Sequence, residues 1–383
     1  MTVGRIDQSH DAGDQTQLTI GERTQRGLGA PVRRPHNAAG PESQEDCVEL
    51  ALMSASMLDR PWEAMLDAAV SRGVRQIEAC AGGHIPTHHY DPVRLAADGD
   101  ALERFRATLE DRELRLCSFS CHGNPLHPDP GRAAADHEDF IATCRLASRL
   151  GVRFVSLLAG LPAGGPHDVT PNWLINSAFP GLSEPYAWQW QERVLPYWRE
   201  AAKIADDHGV LLCIEPHSAD VVYNTPTFMR LRAEIGPTIA MNFDPSHLWW
   251  QGIDPIAVIE TAGDAIATCH VKDALLNDAR IARDGALSPM SYDRWDERPW
   301  TFSTPGYGHS ELFWGRLVMA LRRVDYSGTL SIECEDPFLA PDDTLAASVA
   351  LLSRMLPREA APGVDWASRV AFKEDVSGLS AGN

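Results

Sequence analysis

The sequence has no apolar run near the ~20 residues that a membrane helix requires, and its N-terminus carries no signal-peptide core. A soluble, cytoplasmic protein is the expectation, with no membrane partner. Basic residues are few beside acidic ones: 34 Lys and Arg against 53 Asp and Glu, a formal net charge of -19. That balance repels phosphate backbones, and the basic residues are scattered or lie in the N-terminal tail, so nucleic acid is excluded as a partner. No Gly-rich phosphate fingerprint follows the first strand-like run, which counts against an open, doubly wound dinucleotide-binding sheet. Cysteine is present, 8 in all, but not as a disulfide framework. Cys80, Cys117, Cys213, Cys269 and Cys334 fall within apolar runs, where a thiol behaves as a small buried hydrophobe in a reducing compartment.

What is present is a regular alternation. Short apolar runs at 47–53, 76–80, 114–120, 153–158, 210–215, 238–244, 266–270 and 328–333 read as strands buried on both faces. Helical patterns separate them at 61–70, 101–111, 137–150, about 188–208, 226–234, 255–261, 311–324 and 343–355. Strict alternation of strand and helix implies parallel strands joined by right-handed crossovers, and the simplest closure of such a series is an α/β fold, the (β/α)8 or TIM barrel. Residues 1–45 are polar and aperiodic, and are expected to be a flexible tail or an arm on a second subunit of a homo-oligomer. The barrel is assigned to 46–357 and a C-terminal extension to 358–383.

The last four runs end on residues that hold metals: Val210-Leu-Leu-Cys-Ile-Glu215, Thr238-Ile-Ala-Met-Asn-Phe-Asp244, Ile266-Ala-Thr-Cys-His270 and Gly328-Thr-Leu-Ser-Ile-Glu333. Functional groups of a closed α/β barrel sit at the carboxyl ends of its strands, so these residues should converge on one axis. Carboxylates with an imidazole suit a divalent cation. Two connections, 159 to about 187 and 274 to about 310, are too long for ordinary barrel loops, and both would lie over the site. They carry Trp173, Trp295 and Trp300, whose faces could close over a sugar ring or pack the loops onto the barrel.

Several motifs together resemble the xylose isomerase-like barrels, a superfamily that includes sugar phosphate isomerases and epimerases, ketose 3-epimerases and inosose-processing enzymes. They are Ser120-Cys-His122-Gly-Asn124, Ile214-Glu215-Pro-His217, Phe243-Asp244-Pro-Ser-His247, His270-Val-Lys272-Asp273, Pro305-Gly306-Tyr-Gly308 and Ile332-Glu333-Cys-Glu335. The resemblance spans roughly 47–355 and implies Glu215, Asp244, His270 and Glu333 as metal ligands, with His247 beside the metal or on substrate. One departure is plain: ketose 3-epimerases carry an Arg soon after the seventh-strand His, where this chain has Lys272, Asp273 and Asn277.

A divalent cation, manganese first, with magnesium, cobalt or zinc as alternatives, would polarise a carbonyl and stabilise the enediolate left when the neighbouring carbon loses a proton. Glu215 and Glu333 are the candidate base and acid, since both end strands and face the ring centre. His122, His247, Lys272, Trp295 and Trp300 are candidate contacts to a small carbohydrate. Lys272 is read either as a ligand of a substrate oxygen or as the partner of Asp273. The expected activity is isomerisation or epimerisation of a keto-sugar or inosose. The alternatives are a lyase or dehydratase acting on an inosose or on a keto-glycoside, as a C- or O-glycoside deglycosidase would, and a non-catalytic sugar-binding subunit. An abasic-site endonuclease shares the barrel, but its Asp-Arg-His run is missing from the seventh-strand loop and the net charge opposes DNA.

Overall fold

The structure, a computed structural model, describes residues 48–357 apart from 86–87, 177–178 and 180. The expected tails at 1–45 and 358–383 lie outside the described residues. Eight parallel strands close into a barrel in the order β1-β10-β7-β6-β5-β4-β3-β2. They are β1 (Glu49–Met53), β2 (Gln76–Gly83), β3 (Arg115–His122), β4 (Phe154–Leu157), β5 (Leu211–Ile214), β6 (Ile239–Phe243), β7 (Ile266–Val271) and β10 (Thr329–Ile332). The remaining two strands, β8 (Asp273–Leu276) and β9 (Trp300–Ser303), pair antiparallel as a separate hairpin. Among the described residues no helix is long and apolar enough to cross a membrane.

Each strand alternates between two buried environments. Leu52, Ile77, Phe119, Val155, Leu212, Ile214, Phe243 and Ile332 face the helical layer and join its apolar core. Full burial of each such side chain contributes about 1.5–3 kcal/mol. The opposite face looks inward and is largely polar: Glu78, Ser118, Ser156, Asn242, Thr268 and Ser331 are all buried. Bulky branched residues usually fill a barrel of this kind. Small hydrogen-bonding groups here make an interior in which charged side chains can be accommodated.

The strands fall where the apolar runs place them, with β2 and β3 extending further, to Gly83 and His122. Two expectations change. The helix expected at 137–150 begins at Pro130, because the Asp129 side chain accepts from the N–H groups of Gly131 and Arg132 and Pro130 supplies a pre-set first turn. The segment 274–310 is not simply a loop, since it contains the hairpin, with Ala274 opposite Phe302 and Leu276 opposite Trp300.

Candidate metal centre

At the carboxyl ends of β5, β6, β7 and β10 the chain brings Glu215, Asp244, His270 and Glu333 together, all buried. His270 Nδ1 lies 3.4 Å from Glu215 Oε2 and 3.3 Å from Glu333 Oε1. His247, one helical turn beyond Asp244, places Nε2 3.2 Å from Glu215 Oε1 and 3.3 Å from Asp244 Oδ2. Ligand-type atoms of Glu215, Asp244 and His247 fall within 4.8 Å of one another, as do those of Asp244, His270 and Glu333. The two triads share Asp244, so the four strand-end residues and His247 form one cluster.

Its electrostatics are those of crowded, desolvated charge. Burial pushes Glu333 up to about 8, against the pull of His270 and Lys272, and Asp244 up to about 6. Burial acts on Glu215 in the same sense, but His270 and His247 outweigh it and hold that carboxyl well below the usual range. For His270, burial opposes charge, yet the surrounding Glu333, Glu78 and Glu215 hold it well above an ordinary imidazole. Two neighbours go the other way: burial takes His247 well down and His122 down to about 4.

The donors suit a divalent ion. His122 Nε2, His247 Nε2 and Asp244 Oδ2 are buried and make no well-formed hydrogen bond, approaching Glu215, Lys272 or one another only at 3.2–3.6 Å. Buried polar atoms are ordinarily satisfied, so such a group of orphans marks a place where a ligand completes the bonding. Oxygen and imidazole donors together accept Mn²⁺, Mg²⁺, Co²⁺ or Zn²⁺.

The other candidate residues divide. Lys272 Nζ enters the cluster, 2.6 Å from Glu333 Oε2, 2.9 Å from Glu335 Oε2 and 3.4 Å from Asp244 Oδ2. It does not turn to Asp273, which faces the other side of the strand and accepts hydrogen bonds from the Gly306–His309 loop. His122 Nε2 approaches Glu215 Oε2 at 3.6 Å. Trp300 is buried in the hairpin's own apolar cluster, its ring stacked on Trp250 at 5.2 Å and its Nε1 donating to the Ala286 carbonyl. Trp295 is half-exposed and packs edge-on against Phe338. Trp173 meets Tyr223 edge-on at 5.6 Å.

Four contributors escaped the sequence reading. Phe302 of the hairpin reaches the cluster, with Lys272 Nζ 4.3 Å from its ring centre and the His247 ring at 5.3 Å. His217 packs on His247 with ring centres 4.0 Å apart. Asn242 donates to Glu215 Oε2 at 3.1 Å and is itself oriented by Thr268 Oγ1, which donates to its carbonyl at 2.9 Å. Glu78 touches the far edge of His270. A signal existed for Glu78 and Asn242: each is a polar residue inside an otherwise apolar strand.

Residues 66–355 match the family described as the xylose isomerase-like TIM barrel. The chain belongs to that family. The chain is 34% identical over 313 residues to the uncharacterized protein YfiH of Bacillus subtilis (strain 168), an alignment covering 81% of this chain and 99% of YfiH. Among solved structures, the probable 3-DHS dehydratase AsbF of Bacillus anthracis superposes with a TM-score of 0.57 at 16% identity, covering 80% of this chain and 99% of AsbF. A D-psicose 3-epimerase crystallised with D-fructose gives a TM-score of 0.52 at 16% identity, covering 80% of this chain and 98% of the epimerase. At such identities the likeness is one of fold.

Proposed function

We propose that the chain is a divalent-metal-dependent isomerase or epimerase of a keto-sugar or inosose, working by proton transfer at the carbon beside a carbonyl. The observation that carries this reading is the placement of Glu215 and Glu333, on strands that are not neighbours, with their carboxylates reaching the same His270 nitrogen at 3.4 and 3.3 Å. Carboxylates that approach one centre from different strands can address the two faces of a flat enediolate, one removing a proton and the other returning one. Returned on the opposite face, the proton gives an epimer; returned at the adjacent carbon, it gives an isomer.

Glu215, Asp244, His270 and Glu333 would hold the ion, manganese by preference, and when bound it supplies positive charge beside the substrate's carbonyl and hydroxyl oxygens. Glu215, which accepts a hydrogen bond from Asn242 at 3.1 Å, is placed to take a proton. His122 and His247, neutral in their buried positions, can each donate one hydrogen bond and accept another at a sugar hydroxyl. Lys272 offers a fixed ammonium to a substrate oxygen. Phe302 forms an apolar wall beside it, backed by Trp300, and Trp295 stands at the rim beside Phe338. This wall keeps water from the carbanionic carbon.

The test is solvent-deuterium exchange into a panel of ketoses, inososes and 3-keto-glycosides with Mn²⁺ present. The wild-type protein is expected to incorporate deuterium, and Glu215→Gln and Glu333→Gln to abolish it; exchange persisting in both variants would remove the pair from the mechanism. A second reading, elimination from an inosose or keto-glycoside, is favoured by the buried Lys272 ammonium, whose positive charge could stabilise a departing oxygen by hydrogen bonding. It also has a structural neighbour in the probable dehydratase AsbF. Product mass separates the two, because an isomer conserves mass and elimination yields water or a second product.

A further inference from the structure

His270 has two ring nitrogens with different surroundings. Nδ1 faces Glu215 and Glu333. Nε2, on the opposite edge, lies 3.1 Å from each oxygen of Glu78. Glu78 belongs to β2, which β1 and β10 separate from β7 in the barrel, so this contact crosses the interior. The carboxylate is fully buried in the middle of the run Gln76-Ile-Glu-Ala-Cys80. An ionised carboxylate only accepts hydrogen bonds, so without metal each nitrogen carries a proton, Nδ1 toward Glu215 and Nε2 toward Glu78. An ion held by Glu215, Asp244 and Glu333 would displace the Nδ1 proton, and the one left on the neutral imidazole is the Nε2 proton facing Glu78.

We infer that Glu78 is a positioning residue for the metal site: by accepting the Nε2 proton of His270 it selects the tautomer and fixes the ring so that Nδ1 is presented as a ligand. The inference rests on the reading that His270 holds the ion. Glu78 is not itself a ligand of that ion, because both of its oxygens lie at the far edge of the ring. Nor does a role in folding alone account for the arrangement, since a carboxylate placed only to balance charge need not select one nitrogen. Carboxylates in this relation to a ligating histidine typically govern metal affinity by roughly 10–100-fold.

The experiment is titration of Mn²⁺ into metal-free wild type, Glu78→Gln, Glu78→Met and Glu78→Asp by calorimetry, with the melting temperature of each metal-free protein measured alongside. Expected is a dissociation constant raised roughly tenfold or more in Glu78→Met, which has no acceptor oxygen, with partial recovery in Glu78→Gln, whose amide oxygen still accepts, and in Glu78→Asp. Glu78→Met binding Mn²⁺ within about twofold of wild type overturns the inference. A wild type that binds no Mn²⁺ overturns the underlying reading instead, and the two failures are distinct. Should the variants not fold, the wild type still decides: long-range ¹H–¹⁵N spectra of the ¹⁵N-histidine-labelled protein with Zn²⁺ are expected to show His270 protonated at Nε2 and metal-bound at Nδ1. The reverse tautomer refutes the role given to Glu78.

Discussion

Removing the Asp273 carboxylate should be among the most destabilising single changes in the barrel. Its Oδ2 accepts from the N–H groups of Gly306, Gly308 and His309 and from Trp314 Nε1, and its Oδ1 accepts from Ala274 N and His309 Nδ1. In Asp273→Ala, the loop donors can regain water, because the segment lies near the surface, where Tyr307 is exposed. The donors of Trp314 and Ala274 cannot, since both residues are fully buried. Two stranded donors at about 1–3 kcal/mol each give a loss of roughly 2–6 kcal/mol. In a barrel of this size that lowers the melting temperature by about 5–15 °C. Asp273→Asn should cost about half as much, roughly 1–3 kcal/mol. Its remaining oxygen can occupy the Oδ2 position and serve four of the donors, Trp314 among them, and its amide can donate to His309 Nδ1 as the other tautomer, but the Ala274 N–H loses its acceptor. The assay is thermal unfolding followed by near-ultraviolet dichroism in chelator, at one scan rate. Asp273→Ala melting within about 2 °C of wild type, or below it by no more than Asp273→Asn, would refute this account.

Three other outcomes follow from the cluster and its surroundings. Lys272→Met removes a cation from among Glu333, Glu335 and Asp244, so Mn²⁺ affinity in a chelator competition should rise about tenfold or more while turnover falls; weaker binding contradicts the charge argument. Mn²⁺ affinity should also climb with pH between about 6 and 8. His270 is held protonated by the surrounding carboxylates and Glu333 is pushed up to about 8, so both shed protons on binding. Calorimetry in buffers of differing ionisation heat reads that release, and a pH-independent affinity would count against His270 and Glu333 as ligands. Finally, burial pushes the thiols of Cys80 and Cys117 up to about 11 and those of Cys144, Cys213 and Cys334 up to about 12. Mass spectrometry after iodoacetamide treatment at neutral pH should find these thiols unmodified in the folded protein and modified after unfolding.

The barrel strands were legible because burial on both faces turns each into a short apolar run, and the convergence of Glu215, Asp244, His270 and Glu333 followed from their common place at strand ends. The hairpin was not legible. Asp273-Ala-Leu-Leu and Trp300-Thr-Phe-Ser are short and separated by a helix and irregular chain, so nothing local announces their pairing. With the hairpin hidden, the aromatic that meets Lys272 could not be told apart from Trp300, two residues earlier; the register directs Phe302 to the cluster and Trp300 onto Trp250. Glu78 stands out as an acid inside an apolar run, but its pairing was hidden for a different reason. Its partner is 192 positions away on a strand that is not its neighbour, and only closure of the barrel brings them together.

The order His270-Val-Lys272-Asp273 shows how strand geometry divides labour between neighbours. Side chains alternate along an extended chain, so His270 and Lys272 point into the barrel while Val271 and Asp273 point away. Lys272 therefore joins the carboxylate cluster, and Asp273, one residue on, pins the loop that follows the hairpin. That loop must come very close: a Cβ on Gly308 would lie 2.2 Å from the Ala274 carbonyl oxygen, so only glycine fits. The short path from Lys272 to Asp273 ties the charged floor of the site to the hairpin whose Phe302 forms its wall. A single strand end thereby holds two parts of the candidate site in register, and a shift of one residue would place an ammonium in the helical layer and a further carboxylate in a cluster already rich in them.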